Sequence, residues 1–200
     1  MDRPNNQVTL CGEAAGRPEF SHAGRDGDYF KFPLAVRRLS GTEDVLNIIV
    51  SREQLGQLEI RDLPRLRVTG EVRSYNNHSG VGPRPVITVL ARELAFTEDD
   101  FENAVSLRGT LCKEPTLRRT PMGREISDLM LSVPRRYGRS DYIPCIAWGA
   151  VARRAAGWAV GAKIRVAGRL QSRAYIKMEG DVPVEKTAYE ISAVTAEEIL

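Results

Sequence analysis

Hydrophobic and polar residues alternate along most of the chain, and this period of two predicts short β-strands. The clearest run is Phe30, Phe32, Leu34 and Val36, where every second residue is apolar. Strands are predicted at 8–10, 30–36, 45–50, 66–73 and 86–90, and again at 105–107, 129–133, 142–148, 163–171 and 187–194. Helices are predicted only at 52–62 and 149–159.

The second half of the chain repeats the first. The series Asn6, Val8, Leu10, Gly12 and Pro18 recurs 97 residues later as Asn103, Val105, Leu107, Gly109 and Pro115. The same shift aligns 34–36 with 131–133 and Asp44 with Asp141, and a shift of 98 aligns 68–70 with 166–168. The glycine that ends each first strand allows a sharp bend or a bulge. We interpret the chain as a duplication.

Five short strands with a helix between the third and fourth follow the order of an OB-fold, a Greek-key barrel. The predicted fold class is therefore all-β, with two tandem OB-folds. The barrels are expected at residues 1–98 and 103–200, joined by the short acidic segment 97–101. A single sandwich of ten strands is the alternative, and it fits the repeat less well.

Several classes of function find no support in the sequence. The motifs GxxxxGK[ST], HExxH, GxSxG and the EF-hand loop do not occur, so an enzyme is not expected. Three scattered cysteines and two histidines predict no metal site, and we expect no cofactor and no small-molecule substrate. The absence of a signal-peptide core and of a long apolar run predicts a cytoplasmic protein without membrane contact.

Charge divides unevenly between the two repeats. Residues 1–100 carry 13 Lys and Arg against 15 Asp and Glu, a net charge of −2, whereas residues 101–200 carry 16 against 11, a net charge of +5. The excess predicts an anionic partner for the second repeat.

On one face of the predicted third strand, aromatic residues occur in the second repeat but not in the first. Alternation places Ile143, Cys145 and Ala147 toward the barrel interior. The opposite face carries Tyr142, Pro144, Ile146 and Trp148, and the aligned residues of the first repeat are Val45, Asn47, Ile49 and Ser51. Pro144 indicates an edge or a bulge. Trp158, on the predicted helix, is expected to pack internally.

Exposed rings beside cations are typical of surfaces that bind single-stranded nucleic acid, because rings stack on bases and cations neutralise phosphates. Stacking alone does not distinguish DNA from RNA. The candidate rings are Tyr137, Tyr142, Trp148 and Tyr175. The candidate cations are Arg118, Arg119, Arg124, Arg135, Arg136, Arg139, Arg169, Arg173 and Lys177.

Residues 103–195 resemble the bacterial single-stranded DNA-binding protein family through the opening series from Asn103 to Pro115, Leu131-Ser-Val133, Ala147-Trp148-Gly149, Val160-Gly161 and Val166-Ala-Gly-Arg-Leu170. The family's stacking positions fall on Tyr137, Tyr142, Trp148 and Tyr175. The resemblance implies binding of single-stranded DNA without sequence preference, in replication, recombination or repair, and a nucleoid-associated location in the cytoplasm. It also implies a homodimer that presents four OB-folds.

The first repeat shares the frame of the family but not its rings, because the four stacking positions fall on Ser40, Val45, Ser51 and Asn77. We expect it to act as a scaffold for assembly, with Tyr75, Arg37, Arg38 and Arg73 as the residues available for a weaker surface. The family's acidic tail is missing after 197–200, so recruitment of partners by that route is not expected. The alternative function is a protein-interaction module of a replication or mobile-element complex with weak nucleic-acid affinity.

Overall fold

A computed structural model of the 200-residue chain describes residues 5–56, 64–76, 85–135 and 138–199. Within these ranges almost all regular structure is β-strand. The strands are β1 Asn6–Ala14, β2 Glu19–Gly24, β3 Gly27–Arg37, β4 Glu43–Ser51, β5 Arg65–Asn76, β6 Pro85–Phe96, β7 Glu102–Leu111, β8 Thr116–Arg119, β9 Glu125–Pro134, β10 Ser140–Trp148, β11 Lys163–Glu179 and β12 Val182–Glu198, with helices α1 Arg52–Gly56 and α2 Gly149–Ala155.

Each half of the chain closes into a barrel. Strands β1, β3, β4, β6 and β5 are neighbours in that order, and β5 returns to β1. Strands β7, β9, β10, β12 and β11 repeat the arrangement. In both barrels the β4–β6 or β10–β12 contact is parallel and the other contacts are antiparallel. The predicted all-β fold of two tandem OB-folds is confirmed, with the helix in its expected place.

The first strand of each barrel is longer than predicted and is broken in two. Strand β1 ends at Ala14 and the chain resumes as β2 at Glu19, which pairs with β3. At the crossing of β1 and β3, a Cβ on Gly12 would overlap the carbonyl oxygen of Ala35. The glycine that the repeat places near the end of the first strand is therefore required because two backbones approach closely there.

The helices are shorter than the periodicity predicted. Helix α2 ends at Ala155 rather than near residue 159, and the chain turns through Gly157. Trp158, just beyond the helix, is 9% exposed and packs in the core, which confirms its predicted internal position. Helix α1 covers 52–56, and the rest of that predicted helix lies outside the described residues. Among the residues described, no helix is both long and apolar enough to cross a membrane.

The two barrels join through their first strands. Strand β1 pairs with β7 in antiparallel register from Asn6 opposite Leu107 to Cys11 opposite Glu102, so one continuous sheet passes through both barrels. Asn6 also holds β5, because its side chain accepts a hydrogen bond from the backbone N–H of Val72 at 2.9 Å. Asn103 repeats this contact in the second barrel.

A second junction is made by a fully buried aspartate from each barrel. Asp141 of the second barrel accepts a hydrogen bond from the backbone N–H of Ser74 in the first barrel at 2.6 Å. Arg135 pairs with Asp141 at 2.7 Å and donates to the carbonyl of Ser74 at 2.8 Å. Arg73 reaches the same carboxylate at 3.0 Å. One carboxylate thus gathers two guanidinium groups and a backbone N–H across the junction.

The first barrel makes the mirrored contact on the second. Asp44 accepts a hydrogen bond from the backbone N–H of Ser172 at 2.7 Å, and Arg38 pairs with Asp44 while donating to the carbonyl of Ser172 at 3.2 Å. Asp44 and Arg38 precede Asp141 and Arg135 by 97 residues, and Ser74 precedes Ser172 by 98. The barrels are therefore related by an approximate two-fold axis, and we call the two contacts together the aspartate clamps.

Candidate nucleic-acid interface

Strand β10 separates its side chains into two faces as predicted. Ile143, Cys145 and Ala147 are almost completely buried in the barrel, whereas Tyr142 is 51% and Trp148 is 37% exposed. We call the side of β9–β12 that carries these two rings the outer face. Burial in an apolar interior also raises the pKa of the Cys145 thiol, so this cysteine stays protonated.

Two details of this strand needed the structure. Ile146, predicted on the outer face, is only 6% exposed, because β9 and β12 flank it at Asp128 and Ser192. Ile146 therefore shares the predicted face with the two rings but is not part of its exposed surface. Pro144 causes no register shift against β9, and pairing with β12 begins only after it at Cys145. The proline thus lies where β10 is locally an edge strand, one of the two predicted settings.

Trp148 lies where β10 ends and α2 begins, and this position fixes its ring. Its indole N–H donates to the Oγ of Ser192 on β12 at 3.1 Å. The ring borders an open groove of about 770 Å³. The other lining residues are Arg119, Gly123, Arg124, Glu125, Gly149 and Arg153. A tethered ring beside three arginines offers a stacking surface and phosphate contacts in the same groove.

The electrostatics of this groove are net positive. Glu125 is paired with Arg153 and lies 3.5 Å from Arg119, and the hydrogen bond from Arg153 holds the pKa of Glu125 below its usual value. One carboxylate therefore faces three guanidinium groups. Arg153 was missed from the sequence, where a signal did exist: it begins a basic pair on the helix that follows Trp148.

A second part of the outer face is formed by the long hairpin of β11 and β12. Each of these strands has 17 residues, and Tyr175 pairs in register with Lys186. The guanidinium of Arg173 lies 5.9 Å from the centre of the Tyr175 ring. Lys177 follows on the same side of β11, since alternate residues share a face. Tyr175, Arg173 and Lys177 are thus brought together as predicted neighbours.

The middle of the outer face is partly neutralised by carboxylates. Arg118 binds Asp128 through two hydrogen bonds, one of them 3.0 Å long. Glu190 lies 3.7 Å from Arg173, and burial raises the pKa of the Glu190 carboxyl. Arg169 is half-buried, and its Nε makes no hydrogen bond within the described part of the chain. Among the described residues, cationic side chains outnumber carboxylates most clearly at the Trp148 groove.

The remaining predicted cations divide into three cases. Arg139 is exposed beside the start of β10. Arg136 and Tyr137 lie outside the described residues. Arg135 belongs to an aspartate clamp, where Asp141 and the Ser74 carbonyl occupy its guanidinium. We therefore omit Arg135 from the surface proposed below.

The first barrel presents a different surface at the aligned positions. Val45 is 44% exposed where the second barrel has Tyr142, and Ser51 stands in place of Trp148. Arg37 pairs with Glu43 at 3.3 Å, and Arg38 belongs to the other clamp. Within the described residues, no cluster of three or more His, Cys, Asp or Glu side chains could hold a metal ion.

An OB barrel with exposed rings, a cationic groove and a long hairpin that carries Arg173, Tyr175 and Lys177 on the same face defines the class of nucleic-acid-binding OB-fold proteins. Residues 102–199 match the model of the single-strand binding protein family. Single-stranded DNA-binding protein B of Bacillus subtilis is 34% identical over 85 residues, which cover 39% of this chain and 75% of that protein. The chain belongs to the single-strand binding protein family.

Other relatives extend the comparison. Single-stranded DNA-binding protein 3 of Streptococcus agalactiae is 32% identical over 85 residues, which cover 39% of this chain and 62% of that protein. The match to Lactococcus lactis single-stranded DNA-binding protein 1 covers 57% of that protein, so the chain spans less than two thirds of these relatives. The wild-type single-stranded DNA binding protein from Thermus aquaticus has the same fold, with a TM-score of 0.77, 23% identity and coverage of 100% of this chain and 95% of that one.

Proposed function

We propose that the protein binds single-stranded DNA without sequence preference, mainly through the outer face of the second barrel, and acts by binding rather than by catalysis. The observation that carries this proposal is the Trp148 groove, where a hydrogen-bonded indole ring borders three arginines. The names of its relatives describe proteins that bind single-stranded DNA. We propose the same ligand for this chain, with a role in protecting single strands during replication, recombination or repair.

The residues of this surface have separate roles in the proposal. Bases stack on Tyr142, Trp148 and Tyr175, because every base has a ring face and the contact is therefore indifferent to sequence. Phosphates bind the cations of the Trp148 groove, of the start of β10 and of the β11–β12 hairpin, with release of counterions. These cations are Arg119, Arg124, Arg139, Arg153, Arg173 and Lys177. The aspartate clamps hold the two barrels in a fixed orientation, and the first barrel acts as a scaffold through them.

The test is the affinity of the full chain for fluorescent oligo-dT, measured by anisotropy, with Trp148→Ala compared with the unchanged chain. We expect Trp148→Ala to lose about 1–3 kcal/mol of binding free energy. Phe96→Ala is the matched control, because Phe96 is an exposed ring of the first barrel on a different surface. Equal affinities of a folded Trp148→Ala chain and the unchanged chain would contradict the proposal.

A competition experiment distinguishes the proposed ligand from the alternatives. Unlabelled single-stranded DNA, duplex DNA and RNA of equal length compete for the labelled oligonucleotide. We expect single-stranded DNA to compete best, because a duplex hides the faces on which the rings stack. Stronger competition by RNA would reassign the surface to RNA. Absence of measurable binding to all three would favour the protein-interaction module.

A further inference from the structure

We propose that the first barrel carries its own stacking site for single-stranded DNA, formed by His22, Tyr29 and Tyr75. These residues occupy different positions from the rings of the second barrel. The inference rests on the proposed function and adds a second contact region to it. It also revises the expectation that the first repeat is only a scaffold.

His22 and Tyr29 already form a stacked pair. Their ring centres lie 5.1 Å apart and their planes differ by 8°. They are register partners on β2 and β3, and Tyr29 in turn pairs with Ser51 on β4. Ser51 is the position aligned with Trp148, so the first barrel has its rings in the same row of the sheet but on neighbouring strands. His22 is exposed and Tyr29 is half-buried, so the pair leaves the outer face of the His22 ring for a base to continue the stack.

Tyr75 provides a third ring at the junction with the second barrel. It is 50% exposed and borders a groove of about 460 Å³. His22 borders the same groove, so both rings line one space. Ile49 and Leu90 give this groove apolar lining, and its other lining residues are Ser21, Arg73, Thr88 and Arg135. Apolar walls between stacking rings suit bases better than they suit a charged ligand.

Two observations favour a single strand of nucleic acid as the occupant. Lys31 pairs in register with Ile49 and is exposed on the face that carries the groove, where it can contact a phosphate. The groove also reaches the second barrel, because Arg135 of that barrel lines it. The backbone N–H of Tyr142 donates to Ser74 at 2.7 Å, and Ser74 immediately precedes Tyr75. A strand that leaves Tyr142 therefore meets Tyr75 next.

The test uses the full chain and two lengths of labelled oligo-dT. One OB-fold accommodates about 4–16 nucleotides, so about 12 nucleotides occupy one barrel and about 30 extend over both. Tyr75→Ala is the main variant and His22→Ala is the second. Phe96→Ala is the matched control, because Phe96 is 51% exposed in the same barrel but borders a different groove, beside Pro64 and Arg65. Circular dichroism establishes that each variant is folded.

We expect Tyr75→Ala and His22→Ala each to weaken binding of the long oligonucleotide by about 5-fold to 150-fold, the equivalent of one lost stacking contact. Binding of the short one, and all binding by Phe96→Ala, should stay unchanged. Unchanged binding of the long oligonucleotide by both variants would overturn the inference, as would equal losses at both lengths. Trp148→Ala separates the inference about the first barrel from the proposed function. If Trp148→Ala weakens binding at both lengths while Tyr75→Ala has no effect, the stacking site on the first barrel is refuted and the proposed function stands.

Discussion

Removing one carboxylate charge from the junction between the barrels should destabilise the whole chain. Asp141 is fully buried and binds Arg135, Arg73 and the backbone N–H of Ser74. In Asp141→Asn the amide keeps an oxygen that can accept from Ser74. The other oxygen, Oδ2, is replaced by an NH₂ group, which points at the two guanidinium groups that donated hydrogen bonds to Oδ2.

The expected cost follows from the burial of the partners. Breaking a buried ion pair by changing one partner costs about 3–5 kcal/mol, because the other charge stays behind unpaired. The lower end applies here, since the Arg135 side chain retains 26% exposure and Asn keeps one acceptor. For a chain of this size, 1 kcal/mol lowers the melting temperature by about 2–4 °C. We therefore expect about 3 kcal/mol and a fall of about 6–12 °C.

The assay is urea denaturation followed by circular dichroism, with a thermal melt of the same samples. Asp128→Asn is the matched control, because Asp128 also pairs with an arginine but its side chain is 40% exposed. An exposed pair contributes about 0–1 kcal/mol, so Asp128→Asn should melt within about 4 °C of the unchanged chain. If Asp141→Asn loses no more stability than Asp128→Asn, the clamp does not hold the barrels together as argued.

Three further predictions concern the outer face and assembly. Burial raises the pKa of Glu190 above the unfolded value of about 4.3, so the stability of the chain falls as the pH rises from the unfolded to the folded pKa. Glu190→Gln should therefore raise the urea midpoint more at pH 7 than at pH 4. The same variant should bind oligo-dT more tightly, because it removes a negative charge from the outer face. Arg153→Ala should reduce the slope of log affinity against log salt by about one, and Arg154→Ala, whose side chain lies in another groove, should not. We expect sedimentation to give twice the 22.2 kDa of the chain, as the homodimer implied by the family resemblance requires, and a monomer would contradict that expectation.

Much of the fold could be predicted because the information is local and appears twice. Alternation of apolar residues marks strands wherever one face is buried, and the repeat spacing shows which strands correspond. The break between β1 and β2 and the early end of α2 could not be predicted. Both depend on where a strand or helix meets its neighbours, as at the crossing of Gly12 with Ala35.

Less of the candidate site than of the fold could be predicted, because more of it depends on contacts between strands that are distant in the sequence. Alternation correctly indicated which face of β10 carries Tyr142 and Trp148, because side-chain direction is a local property. It could not indicate that Ile146 is covered by neighbouring strands, or that Arg135 is used in a contact between barrels. Arg135 and Arg139 are equally basic in the sequence, and only the position of Asp141 and Ser74 separates their roles.

The duplication itself indicates which residues serve assembly and which serve binding. Both copies contain the clamp aspartate and its arginine, 97 residues apart, and the serine bound by the other barrel's aspartate, 98 residues apart. A two-fold junction requires the same residues twice, because each barrel is both donor and acceptor in it. A strand of DNA that crosses two barrels makes no such demand, since each barrel contacts a different part of it. The rings are therefore free to differ, as Trp148 in one barrel and the His22–Tyr29 pair in the other do.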